Sequence, residues 1–360
     1  MHLLNAEGFL RVLIWGIRMI KSVILERIGE ISYREIQPSD VYKPTLEEEI
    51  AHGTKVVTRQ IGDPGEGEIE TEAVLGAVCT HEVSLYLGDL THPRYPMVPG
   101  HEAVHRVTRV GKGVTHLKEG DYASCCWYMG QWSRKVIGPA NVAWKLPDDL
   151  GDPANWVVEP PASIVNAVSY MVIKPGAKVL VIGAGFMGLL MIQLIAGYPM
   201  ADFVVADLKP SNLDLAKRAG AYHTVLSGSG EGEEYFKSLP TGYFDVVIEC
   251  SGSQAGLDLA IEHSGMAGFI YLFGWHRKTR TVDFKLGHLR GQQLIHTSPA
   301  IDEGRSYERY WPMTIELLKR GIFDLSYLIS HKYRAEEIKK CMEDSIVRGE
   351  GFIKSVFYLE

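Results

Sequence analysis

The fold is decided by the stretch KVLVIGAGFMG at residues 178–188. Lys178–Ile182 is almost wholly apolar, which predicts a strand buried on both faces of a parallel sheet. Three glycines follow with the spacing G-x-G-x-x-G at the start of an apolar helix. In such a motif Gly183 permits a tight turn, Gly185 lets the backbone approach phosphates, and Gly188 lets helix and strand pack closely. The helix N-terminus supplies free N–H groups, so the stretch predicts a dinucleotide pyrophosphate site.

An acid follows the next strand of the pattern. Asp207 ends the apolar run at 203–206, 19 residues after Gly188. A carboxylate there can bind both ribose hydroxyls and would repel a 2′-phosphate, which favours NAD over NADP. Lys209 favours NADP, so that alternative stays open. Phe186 and Met187, which lie between the second and third glycines of the motif, are also predicted to contact the cofactor.

Strands and helices alternate after Pro175, which predicts an α/β fold with an open, doubly wound parallel sheet. The predicted strands and helices of this part are 203–206, 212–219, 245–249, 255–263 and 269–273. Before it, short β-rich runs such as Val104–Val110 and Asn141–Lys145 predict a second, β-rich unit. After Thr297 the predicted elements are helices at 311–320 and 335–348 and a closing strand at 352–359.

Composition limits the classes of protein that remain. The chain has 360 residues, 46% of them apolar, and a net charge of −7. This length favours two domains, and the charge argues against a nucleic-acid partner. No apolar run is long enough to span a bilayer, so no membrane partner is expected. Five unevenly spaced cysteines favour a reducing cytoplasm over a disulfide framework. Residues 1–18 are interpreted as an extension, or alternatively an amphipathic helix, before a first strand that opens at Met19.

Three separate segments carry candidate metal ligands. They read Cys79-Thr80-His81-Glu82, Gly100-His101-Glu102 and Glu159-Pro160-Pro161. A thiolate, an imidazole and a carboxylate form a workable ligand set for zinc, with the fourth position left for water or substrate. Each segment alone has an ordinary explanation: a packed cysteine, a chance triplet, or a loop before a helix. Their combined order favours a catalytic metal site.

With these residues the chain resembles the medium-chain dehydrogenase/reductase superfamily, in its zinc-dependent alcohol and polyol dehydrogenase branch. The resemblance runs from about Met19 to the C-terminus. It is carried by Cys79, Pro99–Glu102, Gly111–Val114, Gly120-Asp121, Glu159-Pro160, Pro175-Gly176, the glycine motif and Cys250-Ser251-Gly252. It implies a GroES-like β-rich catalytic domain (19–165 and 303–360), interrupted by a Rossmann domain (166–302), with the active site between them.

The resemblance also implies roles for single residues. Cys79, His101 and Glu159 would bind one catalytic zinc per subunit, and a glutamate in the third place is similar to the sorbitol dehydrogenase pattern. Glu102 would lie beside the metal as a second-sphere or exchange ligand, or alternatively as a salt-bridged structural acid. Two further segments would line the cofactor. Cys250 and Ser251 would lie beneath it, and Phe273–Trp275 would flank the nicotinamide.

Two departures from the family pattern matter. His81 stands where the family usually has a hydroxyl that relays the alcohol proton. An imidazole titrates near neutrality and can pass a proton itself, so we expect His81 to be the relay; the alternative is a neutral histidine in the pocket wall. Second, the segment 120–133 lacks the four-cysteine lobe, so no structural zinc is expected. The missing lobe makes Cys125, Trp127, Tyr128 and Trp132 candidates to face the substrate, although core packing is expected for at least two of them.

These features together predict an oxidoreductase that transfers a hydride between an alcohol and NAD, or reduces the corresponding carbonyl. A polyol or amino alcohol is the expected small-molecule substrate. A homodimer or homotetramer is expected by resemblance, with the strand Phe269–Phe273 pairing edge to edge. Two alternatives remain: a zinc-free quinone or enone reductase on the same fold, and a catalytically silent nucleotide-binding protein.

Overall fold

The computed structural model describes residues 19–37, 58–60, 62–90, 95–297 and 307–359. The extension predicted at residues 1–18 therefore lies outside the described residues. The strands are β1 (Ile20–Arg27), β2 (Glu30–Ile36), β3 (Glu68–Ala77), β4 (Ala103–Val110), β5 (Tyr122–Cys125), β6 (Val136–Pro139), β7 (Ala143–Lys145), β8 (Lys178–Ile182), β9 (Asp202–Asp207), β10 (His223–Leu226), β11 (Phe244–Glu249), β12 (Ser264–Leu272), β13 (Gln293–His296), β14 (His331–Arg334) and β15 (Ser355–Tyr358). The α-helices are α1 (Thr80–Leu87), α2 (Glu159–Val168), α3 (Phe186–Ile195), α4 (Pro210–Ala219), α5 (Gly230–Ser238), α6 (Gln254–His263), α7 (Phe284–Arg290), α8 (Trp311–Lys319) and α9 (Ile338–Val347).

The second half of the chain forms a six-stranded parallel sheet in the order β10-β9-β8-β11-β12-β13. β8 lies inside it, paired with β9 through Leu180 and Val204 and with β11 through Leu180 and Val247. These three side chains are fully buried. The two-sided burial predicted for this strand is therefore confirmed, as is the doubly wound α/β fold.

A seven-stranded sheet contains the early strands and the end of the chain. Its order is β14-β15-β3-β4-β5-β7, with β6 also paired to β3. The closing strand pairs antiparallel with β3, so that Val356 lies opposite Ala77. On the other side of β3, Gly76 lies opposite Ala103 of β4. The end of β3 therefore lies between the starts of β4 and β15.

Several predicted boundaries were wrong. The run Asn141–Lys145 is not all strand, because Ala140–Val142 forms a 3₁₀ turn before β7. The last predicted helix begins only at Ile338, after a separate 3₁₀ turn. The prediction missed β10, α5, α7 and β13, which are partly exposed elements of at most nine residues each. The run Phe269–Phe273 is not an edge, since β13 pairs outside β12. Among the described residues, no helix combines the length and apolar character that crossing a membrane requires.

A buried histidine of β4 lies within the core of the seven-stranded sheet. His105 is fully buried. Its Nδ1 lies 3.0 Å from Thr71 Oγ1, and its Nε2 lies 2.8 Å from Gln131 Oε1. Burial lowers the pKa of His105 to about 4, although the Gln131 side chain acts in the opposite direction. The ring is therefore neutral in the folded protein at neutral pH.

This histidine predicts a specific loss of stability in mild acid. The unfolded chain binds the proton near pH 6.5 and the folded chain only near pH 4, so stability falls as the pH drops through this interval. From pH 7 to pH 5 we expect His105 to account for about 2 kcal/mol of the loss in the free energy of unfolding. His105→Gln, measured by urea denaturation at both pH values, should lose that much less than the wild type. The exposed His116, changed to Gln, serves as control, and an equal loss in all three proteins would contradict the prediction.

Candidate active site

The backbone pairing of three strands sets the position of the predicted metal ligands. Cys79 follows β3 and caps α1, and His101 and Glu102 precede β4. The Ala77 N–H donates to Glu102 O at 2.9 Å, and the Val78 N–H donates to Ser355 O at 3.1 Å. The two early ligand segments and the beginning of β15 are therefore held together by main-chain hydrogen bonds.

His101 lies between a thiol and a buried acid. Its Nδ1 is 2.6 Å from Glu82 Oε1, and the ligand atoms of Cys79, Glu82 and His101 lie within 4.8 Å of one another. Burial opposes ionisation of Glu82, but the charge of His101 outweighs it and holds the pKa of Glu82 well below its usual range. Burial likewise opposes the charge of His101, but Glu82 raises the pKa of His101 well above its usual range. For Cys79, burial and then the charge of Glu102 raise the pKa of the thiol.

Glu82 was not predicted as a site residue. The signal in the sequence was its position three residues after Cys79, where a glutamate can accept a hydrogen bond from the N-cap residue. The Cys79 N–H does donate to Glu82 Oε2, at 3.2 Å. The same carboxylate thus caps α1 and orients His101.

Glu102 and Glu159 place two more carboxylates near His101. The ligand atoms of His101, Glu102 and Glu159 lie within 4.8 Å of one another. Glu102 pairs with the Lys354 ammonium, which is 2.5 Å from Glu102 Oε2. Glu159 begins α2 and accepts a hydrogen bond from Ser163 Oγ at 3.2 Å. Burial raises the pKa of Glu159 to about 7.

These residues fit a zinc ion by the chemistry of their donors. Sulfur, imidazole nitrogen and carboxylate oxygen are ligands that zinc accepts, and they meet here in a largely buried cluster. The structure places Cys79 and Glu159 in two separate groups of three, and His101 belongs to both. The cluster contains all three predicted ligands together with Glu102 and the unpredicted Glu82.

His81 projects from α1 beside this cluster. Its ring is 5.4 Å from the ring of His101, centroid to centroid, and 6.5 Å from the ring of Trp275. Its Nε2 lies 3.1 Å from the Tyr128 hydroxyl oxygen. Its Nδ1 is buried without a hydrogen-bond partner among the described residues, 3.7 Å from Glu82 Oε1.

The segment that replaces the expected lobe is mostly packed inward. Cys125, Trp127 and Trp132 are buried and do not face the site, whereas Tyr128 is 37% exposed and contacts His81. The buried Gln131 amide donates to Cys125 O at 3.3 Å and also to Trp127 O. Interior hydrogen bonding therefore fixes this segment. The core packing expected for at least two of the four residues is confirmed for Trp127 and Trp132, and Cys125 is buried as well.

Gln131 also links this segment to the candidate metal ligand His101. Its Nε2 donates to His101 O at 3.1 Å. In the sequence Gln131 is a polar residue next to Trp132, which gave no signal of this role. It was therefore missed, because its partners become neighbours only in the folded sheet.

The glycine motif has the geometry its sequence predicts. Gly183 has φ +97°, and a Cβ added to Gly188 would lie 1.9 Å from Gly183 O. Cys250 packs against the motif, since the same added Cβ would lie 3.6 Å from Cys250 Cβ. A Cβ added to Gly183 would lie 3.0 Å from the Ser251 nitrogen. A Cβ added to Gly185 would meet nothing within 4 Å, so the space next to this residue is open.

Asp207 and Lys209 follow β9, next to the glycine motif. Asp207 Oδ2 accepts a hydrogen bond from Ala184 N at 2.7 Å, and Oδ1 accepts one from Lys209 N at 2.9 Å. The Lys209 ammonium donates to Arg348 O at 2.7 Å and to Gly349 O at 3.2 Å. Its charge is therefore engaged by carbonyl groups.

A second buried acid, Glu249, organises the loop after β11 and was not predicted. It accepts hydrogen bonds from Ser251 N at 2.7 Å and from Gly252 N at 3.0 Å. Its Oε2 lies 2.9 Å from His276 Nε2. The two loops expected around the cofactor, at Cys250–Gly252 and after Phe273, are thus held to each other.

The glycine motif of the six-stranded sheet lies close to the candidate metal ligands of the seven-stranded sheet. The Lys354 ammonium lies 4.9 Å from the centroid of the Phe186 ring, at the start of α3. Arg277, in the loop after β12, donates to Ser84 Oγ of α1 at 3.0 Å and lies 3.2 Å from Asp89 Oδ2. The candidate ligands around His101 therefore lie beside the first turn of α3.

Comparison with known proteins agrees with this arrangement. Residues 63–148 match the alcohol dehydrogenase GroES-like domain family, and residues 186–317 match the zinc-binding dehydrogenase family. The chain is 25% identical to a sorbitol dehydrogenase of Arabidopsis thaliana over 73% of its own length and 80% of that protein. It is 25% identical to a D-xylulose reductase of Morganella morganii over 90% of its length and 97% of that protein. A crystal structure of an alcohol dehydrogenase from Escherichia coli CFT073 in complex with NADH has the same fold, with a TM-score of 0.76, 20% identity, and coverage of 95% of this chain and 99% of that one.

The geometry of the glycine motif predicts that two similar substitutions differ in their effect on stability. Gly188→Ala should lower the free energy of unfolding by about 1–3 kcal/mol, because the added methyl group collides with a backbone carbonyl. Gly185→Ala should leave stability unchanged, because its methyl group meets no protein atom, yet it should weaken NADH binding by occupying space needed by the phosphates.

Thermal unfolding and NADH fluorescence titration of both variants test this pair. The expected result is reduced NADH binding in both and a lowered Tm in Gly188→Ala alone. Full NADH affinity in Gly185→Ala would show that the phosphates do not approach this loop.

Proposed function

The chain belongs to the zinc-dependent alcohol and polyol dehydrogenase branch of the medium-chain dehydrogenase/reductase superfamily, and we propose that it transfers a hydride between a polyol-type alcohol and NAD. The same site would reduce the corresponding carbonyl. The observation that carries this proposal is the meeting of Cys79, His101 and Glu159 beside Phe186 of the dinucleotide motif.

We propose that Cys79, His101 and Glu159 hold one zinc ion per subunit, and that no structural zinc is bound elsewhere. When bound, this ion would act as a Lewis acid on the substrate oxygen and make the alcohol easier to deprotonate. Glu82 accepts the Nδ1 hydrogen of His101, which leaves the Nε2 lone pair free to bind a metal. Lys354 balances the charge of Glu102, so Glu102 remains beside the metal as a second-sphere acid.

His81 and Tyr128 form a path for the alcohol proton. We propose that His81 Nδ1, which is buried beside Glu82 and has no hydrogen-bond partner among the described residues, takes up the alcohol proton. His81 Nε2 contacts the Tyr128 hydroxyl, and Tyr128 is exposed to solvent. An imidazole can take a proton on one nitrogen and release the other, so the proton would leave the cleft through Tyr128.

NAD is the proposed cofactor and supplies the nicotinamide carbon that accepts the hydride. Asp207 presents a carboxylate at the end of β9, where a 2′-phosphate would be repelled. Lys209, the residue that favoured NADP, already donates to two carbonyl oxygens. The contacts of both residues support NAD.

The substrate class and the assembly are also part of the proposal. Two relatives are a sorbitol dehydrogenase and a D-xylulose reductase, which favours a polyol over a simple alcohol. A homodimer or homotetramer remains the expected assembly, and β13 offers the edge strand that pairing through the six-stranded sheet would use. The uneven spacing of the five cysteines fits a reducing compartment such as the cytoplasm.

Loss of one ligand should remove metal and activity together. The wild type should carry one zinc per chain by elemental analysis, and Cys79→Ser should lose most of it and at least a hundredfold in polyol oxidation. Cys341→Ser makes the same change at a buried cysteine of α9 outside the cluster and should retain zinc.

Two outcomes would favour the alternatives. Full activity in zinc-free protein would indicate the metal-independent quinone or enone reductase. Tight NADH binding and full zinc content without turnover of any alcohol in a broad panel would indicate a silent nucleotide-binding protein.

Removing the proposed relay should slow proton transfer. His81→Asn should lower kcat by about 10²–10⁴-fold, the range of general acid–base catalysis. Tyr128→Phe should lower kcat less. The double variant should be no slower than His81→Asn, because the two residues act in series.

The exposed His223 on β10, changed to Asn, is the matched control and should keep wild-type kcat. The four proteins are compared by steady-state kinetics at saturating NAD and polyol. A kcat of His81→Asn within twofold of the wild type would make His81 a neutral wall residue, the alternative considered from the sequence.

A further inference from the structure

The loop after β12 contacts α1 at two points. The ring of Trp275 is 6.5 Å from the ring of His81, centroid to centroid. Two residues further on, Arg277 Nη1 donates to Ser84 Oγ at 3.0 Å and lies 3.2 Å from Asp89 Oδ2. Ser84 lies one turn after His81, and the Asp89 N–H donates to Ser84 O at 2.9 Å. One loop of the six-stranded sheet is therefore joined to α1, which follows β3 of the seven-stranded sheet.

The other side of this loop is fixed to the loop after β11, which is expected to lie beneath the cofactor. The Gly274 N–H donates to Glu249 O at 2.7 Å, and His276 Nε2 lies 2.9 Å from Glu249 Oε2. A Cβ added to Gly252 would lie 2.7 Å from Trp275 O, so the backbones of the two loops are in close contact. The end of α1 is therefore connected to a loop that its own contacts hold in place.

The contacts of Arg277 combine an exposed ion pair with a buried hydroxyl. The Arg277 side chain is 39% exposed and that of Asp89 is 53% exposed. Ion pairs this exposed contribute little to the free energy of unfolding, because water screens the charges and both side chains lose freedom. Ser84 is fully buried, so the guanidinium reaches inward to a hydroxyl whose position the helix fixes. The contact is therefore better suited to fix the position of α1 than to stabilise the chain.

We propose that Arg277 is a positioning residue that fixes α1, and with it His81, relative to the loop expected beside the nicotinamide. This proposal rests on the proposed function, in which His81 receives the alcohol proton. Displacing a reacting group by 1 Å can slow a reaction by about a hundredfold, so a smaller shift of α1 is enough to slow proton transfer. The main-chain hydrogen bonds of Ala77 and Val78 hold the start of the helix independently, so the ligand Cys79 keeps its place.

Removing the guanidinium should change kcat and little else. Arg277→Gln should lower kcat about tenfold, as expected for a displacement of less than 1 Å. The KM of sorbitol, the Kd of NADH and the zinc content should stay within about twofold of the wild type, and the Tm should fall by no more than about 2 °C. Arg277→Lys should recover part of kcat, because an ammonium group can still pair with Asp89. In the His81→Asn background, Arg277→Gln should cause no further loss, since the positioned group is absent.

Lys278→Gln is the matched control, because it removes a positive charge from the adjacent exposed residue of the same loop and should keep the wild-type kcat. A kcat of Arg277→Gln within about twofold of the wild type would overturn the proposal. So would a tenfold loss that persists in the His81→Asn background. An NADH Kd that rises in parallel with the loss of kcat would assign Arg277 to the cofactor and would overturn it as well.

Hydrogen exchange tests the position of α1 without turnover. In the unliganded Arg277→Gln protein, amide exchange should become about tenfold faster in α1 and stay unchanged in α2, because only α1 loses a contact. Unchanged exchange in α1 would overturn the proposal. Absence of polyol oxidation by the wild type would instead contradict the proposed function, and the exchange of α1 would then still decide whether Arg277 holds this helix.

Discussion

The pairing of β15 with β3 is the constraint on which the site depends. It returns the end of the chain to the first ligand, so that Val356 lies opposite Ala77 and Ser355 O accepts the Val78 N–H. This register places Lys354 against Glu102 and the ring of Phe186. One ammonium group thereby balances a buried acid of the metal cluster and contacts the start of the dinucleotide helix. A shift of β15 by one residue would turn Lys354 to the other face of the sheet and leave Glu102 buried without its cation.

The charge balance of the cluster distinguishes its three carboxylates. Burying a carboxylate is costly unless a cation or hydrogen bonds accompany it. Glu82 has His101, and Glu102 has Lys354. Glu159 accepts a hydrogen bond from the Ser163 hydroxyl, and burial raises its pKa to about 7 although the nearby charge of His101 acts in the opposite direction. It is the acid that a bound cation would stabilise most in its charged form, which supports the choice of Glu159 as the third ligand.

The sequence was most informative where structure depends on near neighbours. The glycine motif and β8 could be predicted because a strand, a turn and a helix start lie within eleven consecutive residues. The metal ligands were predicted from the order of their segments. Glu82 and Gln131 were missed because their roles depend on contacts with His101, which lies 19 and 30 residues away. The edge strand β13 was missed because it is only four residues long and its two apolar residues, Leu294 and Ile295, are flanked by exposed polar ones.

The two products of alcohol oxidation, a hydride and a proton, would leave in different directions. The start of α3, with Phe186, lies on one side of the cluster, and the six-stranded sheet carries the dinucleotide motif there. His81 and Tyr128 lie on the side of the segment that replaces the lobe, where Tyr128 reaches solvent. The buried Gln131 fixes this segment through its carbonyl groups and also holds the backbone at His101. The same packing would therefore also fix the proposed outlet for the proton relative to the proposed metal ligand His101.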